Sequence, residues 1–277
     1  MDNNISSSAE LRSVELGKLI TIGSNSCIKF SKINNGCEIG IGCYLDNVVL
    51  EENVVIGNYS ELKNCIIKKN AIIGSYVSLG NDPQSYVNKA SCCNKTSVVI
   101  GENVVVREYC SVNKGFSRDT IVGNDSYLMA RSHVDHDCIL EERVVLSTGC
   151  ILGGYVQILK GANLGMGTVV HQNSTIGHFS MIAANTAVVK DVPPFAKLIQ
   201  GKRLLYNKVI MQREFPELLE CVEQNNNHFK KRMIDMNNYD KFMSGCAAYE
   251  EKTKNDFFRK LYNSWLEITD KDRSIYA

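Results

Sequence analysis

The sequence lacks the features that assign many chains to a class at a glance. No apolar stretch approaches the ~20 residues of a membrane span. The leading MDNNISSSAELRSVELGK is polar and has no apolar h-region. No secretory signal is therefore expected, and the expected compartment is the cytoplasm. Lys and Arg number 31 against 30 Asp and Glu. So even a balance gives no reason to expect nucleic acid or an anionic membrane as partner. The 11 cysteines are an odd number, with no CxxC pair and no zinc-finger spacing. They read as free thiols in a reducing compartment. Histidine is scarce, with 5 in 277 residues, so its placement carries weight.

What the sequence does have is a repeat, and a repeat decides the fold before anything else. Ile-Gly pairs recur at Ile22, Ile39, Ile56 and Ile73, always at the same interval. Between them, aliphatics step by six, five and six: Ile22, Ile28, Ile33, Ile39, Leu45, Leu50, Ile56. From Val122 through Leu128, Val134 and Leu140 to Val188 the step is a strict six. Four residues after an aliphatic the side chain is small, as at Ser26, Cys43, Ser60, Cys110, Ser126, Cys138, Cys150 and Ser174. Glycine often follows the aliphatic, as at Gly101, Gly123, Gly153, Gly165 and Gly177.

A period of six matches neither a helix nor a plain alternating strand. It fits a short strand plus a tight corner, and three such steps close one triangular coil. The aliphatics fill the prism, the small residues fit beside the corners, and glycine is expected to supply the corner's backbone angles. Stacked coils bury one another's interiors. The expected class is an all-β solenoid with a C-terminal α-helical tail. Cysteines at the small position read as core filler rather than nucleophiles.

Residues 1–18 are read as a lead and 19–200 as the solenoid. Two insertions, 80–97 and 113–120, break the register. They are either solvated loops or loops that reach a substrate. Pro193-Pro194 ends the repeat, since proline cannot continue a ladder. Residues 201–277, with KVIMQREFPELLECVEQ and NDFFRKLYNSWLEI, carry helical apolar spacing.

The chemistry concentrates in RSHVDHDC (131–138) and GTVVHQNS (167–174). His136, Gly154 and Gln172 are each one full coil of three six-steps apart and should stack at one corner. Asp135, Gly153 and His171 form the neighbouring column. His133 joins them, so three of the five histidines fall at one edge. Acyl transfer from an already activated thioester asks for two things. A base must take the acceptor's proton, a task suited to histidine and typically worth about 10²–10⁴-fold. A donor must hold the oxyanion, worth about 2.7–4 kcal/mol. His136 suits the first role and the Gly154 N–H the second. Asp137 is the nearest acid that could fix the tautomer of His136. His178 and His228 lie off the column and read as ordinary solvent-facing residues.

The stretches REYCSVNKG (107–115), LMARSHVDHDC (128–138), ILGGYV (151–156), VHQ (170–172) and DVPPF resemble the UDP-N-acetylglucosamine acyltransferases of lipid A biosynthesis. The likeness runs over roughly residues 70–200. It implies a left-handed parallel β-helix, a homotrimer with sites between subunits, and acyl carrier protein as acyl donor. It implies no bound cofactor and no resident metal. By position it makes His136 the general base and Gly154 the oxyanion glycine. It makes His133, His171, Gln172 and Gln84 substrate contacts. The departures are specific. Ser85 and Val87 stand where the family has Asp and Lys, and Tyr155 stands for a histidine. Ala183-Ala184 replaces a Gly-Gly pair that passes a long acyl chain. A basic motif is missing, with Arg213 the nearest basic residue.

Four readings remain open at this stage. The first is transfer of a fatty acyl group from carrier protein to a hydroxyl or amine of UDP-N-acetylglucosamine or an analogue. The second is transfer of a short acyl group from CoA to a nucleotide amino sugar for surface polysaccharide. The third is a zinc enzyme using His133, His136 and His171 across a subunit interface. The fourth is a scaffold without catalysis.

Overall fold

The computed structural model describes residues 2–84, 95–199, 203–217, 219–220, 246, 250 and 257–269. The solenoid is a parallel stack built from very short strands. One face is a sheet of 12 strands running from Asn4–Ile5 up to Ala196–Ile199, closed by Arg203–Tyr206. The other two faces merge into one ladder because Tyr44–Leu50 and Glu61–Ile67 run on through a corner. These strands belong to the shorter coils, and the corner they run through is the step of five.

Every aliphatic of the repeat points inward. Ile22, Ile28, Ile33, Ile39, Leu45, Leu50, Ile56 and Val122 through Val188 are all at most 2% exposed. Stacked in register, they make one continuous apolar column, the dominant stabilising term of such a fold.

The small position has a polar function as well as a steric one. Ser26 Oγ donates to Gly40 O at 2.8 Å and Ser60 Oγ to Gly74 O at 2.9 Å. The Cys138 and Cys150 thiols donate to Gly153 O and Gly165 O, each at 3.2 Å. Serine and cysteine alternate there because both are small and both can satisfy a carbonyl of the next coil. Burial pushes the Cys138 thiol up to about 12 and the Cys150 thiol up to about 11. These are core residues, not nucleophiles.

Three sequence expectations change. The glycines after the aliphatics do not supply the left-handed corner. That conformation falls two residues later, on Asn25, Tyr59, Asp125, Arg131, Asp137 and Tyr155 (φ 56–62°). The glycines are needed for close approach instead. A Cβ on Gly123 would lie 2.5 Å from Glu141 C, and one on Gly165 2.6 Å from Ala184 N.

The first coil begins at Asn4, inside the stretch read as a lead. Asn4 pairs with Thr21, Glu10 with Cys27 and Glu15 with Lys32. Ile5, Leu11 and Leu16 carry the six–five step backwards and are half-buried against the core.

The tail opens with a strand. Arg203–Tyr206 pairs antiparallel with Ala196–Ile199 and covers the last sheet edge. Helix Lys208–Glu214 follows, burying Ile210 and Met211. Phe215 then stands edge-on to Phe179 and Phe195, at 5.1 and 5.8 Å, sealing the prism end. Helix Phe257–Ile268 is also described, with Trp265 fully buried. Most of 221–256 lies outside the described residues. Among the described residues no helix is long and apolar enough to cross a membrane.

Candidate active site

The stacking read from the coil spacing is present. Tyr155 N donates to His136 O at 2.9 Å, and Asn173 N to Gly154 O at 2.8 Å. The corner residues 136, 154 and 172 therefore succeed one another up the prism. Next to them, Asp135 N donates to Leu152 O and Gly153 N to Val170 O.

His136 is 9% exposed and tightly held. Its Nδ1 lies 2.9 Å from Asp137 Oδ2. Its ring meets Phe116 and Tyr155 edge-on, at centroid distances of 4.9 and 5.3 Å. Its backbone N donates to Asp135 Oδ1 at 2.8 Å. The ring also occupies the space beside Gly154, where a Cβ would lie 2.5 Å from Nε2. No residue but glycine fits against this imidazole.

Asp137 is completely buried. Burial opposes its charge, but Phe116 N, Ser117 N, Ser117 Oγ and Arg118 N all donate to its carboxylate at 2.8–2.9 Å. These donors outweigh burial and hold its pKa down to about 2. A carboxylate so held is ionised and can only accept. The proton of a neutral His136 ring therefore sits on Nδ1, leaving the Nε2 lone pair free.

Several corner N–H groups equivalent to that of Gly154 are taken by side chains. Asn35 Oδ1 accepts from Lys18 N, Asn58 Oδ1 from Ile41 N and Asn124 Oδ1 from Glu102 N, at 2.8–2.9 Å. The Gly154 N–H has no acceptor among the described residues. It is buried beside the His136 ring and available to a ligand oxygen.

The remaining residues singled out in the sequence fall into two groups. Near the pair, His133 Nδ1 lies 2.8 Å from Ser111 Oγ. Burial pushes its pKa down against the opposing charge of Asp135. His171 and Gln172 are exposed on the coil above, and His171 Nδ1 contacts Gln172 O at 3.1 Å. Tyr155 carries the Arg118 guanidinium 5.8 Å from its ring centroid. These two border a cleft of about 250 Å³ with Gln157, Asn173, Thr175 and Asp191. Gln84 is exposed on the first insertion, while Ser85 and Val87 lie outside the described residues. Ala183 is half-buried and Ala184 exposed.

Arg213 is not brought to His136 within the chain. It lines a separate cleft of about 630 Å³ at another corner, with Arg143 and Glu214. Both arginines are paired to Glu214 at 2.9 Å. The smaller cleft adjoins the His136 column through Tyr155, which packs on the His136 ring.

His178 is off the column, as read, but it does not face solvent. It is 3% exposed, and its ring nitrogens make no hydrogen bond among the described residues, with Nδ1 3.6 Å from Glu141 Oε2. Burial and the charge of Lys160 push its pKa down to about 4. His228 lies outside the described residues. Among the described residues no three His, Cys, Asp or Glu side chains gather as a metal site.

Sequence reasoning missed Phe116, Ser117, Arg118 and Thr120, which hold Asp137. Thr120 Oγ1 accepts from Asp137 N at 3.0 Å. The signal was there: one coil back from Asp137 falls at Asp119, inside the second insertion.

A family model described as GlmU-like, C-terminal hexapeptide matches residues 6–100. Curated relatives carry the name acyl-[acyl-carrier-protein]–UDP-N-acetylglucosamine O-acyltransferase. The Helicobacter pylori protein is 35% identical over 129 residues, 46% of this chain and 46% of the relative. The Agrobacterium fabrum protein is 39% identical over 123 residues, 43% of this chain and 44% of the relative. The chain thus matches about half the length of these relatives. The structure of the Arabidopsis UDP-N-acetylglucosamine acyltransferase superposes with a TM-score of 0.69 at 21% identity, covering 100% of this chain and 98% of that one. The Francisella novicida enzyme gives 0.62 at 25% identity, covering 98% and 93%. The motif resemblance and the comparisons agree in direction: over about half its length the chain is similar to the UDP-N-acetylglucosamine O-acyltransferases, and its residues 6–100 match a hexapeptide model.

Proposed function

We propose that this protein is an acyltransferase with His136 as general base. The acyl group would move from a thioester of acyl carrier protein, or of CoA, to a hydroxyl or amine of a nucleotide sugar such as UDP-N-acetylglucosamine. The carrying observation is the His136–Asp137 pair beside the unengaged N–H of Gly154.

The steps follow from these groups. Asp137 keeps the Nδ1 proton in place and stabilises the imidazolium that forms. Nε2 takes the proton from the acceptor as its oxygen or nitrogen attacks the thioester carbon. The Gly154 N–H donates to the oxyanion of the tetrahedral intermediate. His136 then returns the proton as the thiolate leaves. Phe116 and Tyr155, packed edge-on to the ring, keep water from the base. An acceptor amine of low enough pKa would need less help from a base than a hydroxyl does, so the elaborate support of His136 favours oxygen.

His133, His171, Gln172, Gln84 and Tyr155 are the proposed acceptor contacts. Arg213 can join them only from a neighbouring copy, which fits a homotrimer. The left-handed winding and a cytoplasmic location belong to the same reading. One feature favours a short acyl-CoA donor and an amino sugar instead: the Ala183-Ala184 pair. One or two methyl groups narrow a hydrocarbon slot enough to set chain length.

The test is a panel of UDP- and dTDP-sugars with carrier-protein thioesters and acyl-CoAs of graded length, read by free thiol and product mass. His136→Ala should lower turnover about 10²–10⁴-fold with the solenoid's circular dichroism unchanged. Absence of transfer from every donor would sink the proposal. Transfer only from short acyl-CoA would replace the first donor by the second.

A further inference from the structure

The two insertions are fastened together at both ends of the first. At its start, Lys114 N donates to Asn81 O at 3.0 Å. The Lys114 ammonium pairs with Asp82 Oδ1 at 3.1 Å. The Lys114 side chain is 4% exposed, whereas that of Asp82 is 63% exposed. At its end, Thr96 Oγ1 donates to Gly115 O at 2.5 Å, and Ser97 N to Asp119 Oδ1 at 2.7 Å.

The second insertion is in turn the cradle of the acid. Phe116, Ser117 and Arg118, which begin two residues after Lys114, supply every N–H that the Asp137 carboxylate receives from the backbone among the described residues. Asn113, on the other side of Lys114, donates to Asp135 Oδ1, which also accepts from His136 N. Burial takes the Lys114 ammonium out of water, and the Asp82 carboxylate is the charge that compensates it. The ion pair therefore holds Lys114, and with it the loop, in one place.

We propose that Lys114 is a positioning residue: its pair with Asp82 ties the first insertion to the loop that holds Asp137, and so keeps His136 in its Nδ1–H form. This rests on reading His136 as the base. Asp82 sits two residues before Gln84, so a sugar nucleotide engaging that insertion would press on the same link. Lys114 then bears on the chemical step rather than on acceptor binding.

The test is the tautomer of His136 in the full chain. Proton–nitrogen correlation spectra of ¹⁵N-histidine protein, at a pH where the ring is neutral, separate Nδ1–H from Nε2–H forms. The His136 signal is assigned by its loss in His136→Ala. Wild type should show one Nδ1–H pattern. Lys114→Met should show a mixture, and Lys114→Arg should restore the single pattern. With the active donor and acceptor, Lys114→Met should lower kcat at least about tenfold and leave KM within about twofold. A single Nδ1–H pattern in Lys114→Met overturns the proposal. If Lys114→Met does not fold, Asp82→Asn breaks the pair from its exposed side and is judged by the same spectra. Wild-type protein that turns over no substrate would refute the acyltransferase reading and leave the tautomer test standing.

Discussion

The early coils and the late coils of this solenoid are built alike but stacked differently. Before Leu79 each coil contains one step of five, and from Asn47 up to Asp125 like residues stand on like at several corners. Asn47 Nδ2 donates to Asn64 Oδ1, and Asn53, Asn70, Asn103 and Asp125 form a chain of such bonds at 3.0–3.3 Å. Tyr59, Tyr76 and Tyr109 stack at 5.4 and 5.2 Å. Each side chain uses its bonding capacity on the copy above it. After Val122 every step is six, and although Phe179 still stacks on Phe195, the column that carries His136 is mixed. His136 is followed by Gly154, and Gly154 by Gln172. A mixed column leaves a ring nitrogen and an N–H unspent. Uniform columns stabilise the stack, and broken ones leave groups free to react.

Among changes that leave His136 itself in place, filling the broken column should have the largest effect. Gly154→Ala puts a methyl group 2.5 Å from where His136 Nε2 now sits. The ring must swing off, and both base and oxyanion donor lose their alignment. Turnover should fall about 10²–10³-fold, the range seen when an oxyanion donor is lost. Thermal stability should fall far less, because the corner φ at this position is not in the left-handed range. Activity close to wild type would mean that Gly154 is small only for packing.

The acid comes next. Asp137 has a pKa of about 2, below its ordinary value of 3.8. Its folded-state contribution is therefore present above pH ~4 and disappears as pH falls through ~2; at neutral pH it is on the order of 2 kcal/mol. Asp137→Asn removes the charge that the Phe116–Arg118 N–H groups surround. It should lower turnover by about two or more orders of magnitude, through the wrong His136 tautomer. Acid-unfolding curves read by circular dichroism should show the wild-type advantage over Asp137→Asn shrinking between pH ~4 and ~2. A gap that stays constant across that range would mean that Asp137 is not ionised in the folded protein.

The architecture was legible because a solenoid writes its core into the chain at fixed intervals. The same spacing puts His136, Gly154 and Gln172 in one column. It failed where spacing carries no information. The short corner of Tyr44–Leu50 looks like a shortened repeat, not a strand that bends through. The first coil was missed because Ile5, Leu11 and Leu16 carry the period without the Ile-Gly pair that marks the others. The glycines were misjudged because a requirement for space and a requirement for positive φ leave the same letter in the sequence. The cradle of Asp137 was hidden for a different reason. Its donors are mostly backbone N–H groups, which no side-chain pattern reports.

The smallest effect should come from the uniform column. Tyr76 stacks on both Tyr59 and Tyr109 yet is 49% exposed. Ring pairs contribute about 0.5–1.5 kcal/mol beyond burial, and half-exposed rings sit at the low end. Tyr76→Ala should thus cost about 1 kcal/mol and lower Tm by roughly 2–4 °C. Its turnover should match wild type, because Tyr76 lies two coils below the one that carries His136. Differential scanning calorimetry and the transfer assay read the two quantities separately. A loss of turnover without a loss of stability would break the comparison. It would mean that a column satisfied by its own members also reaches the site, and that uniform stacking is no sign of a purely structural corner.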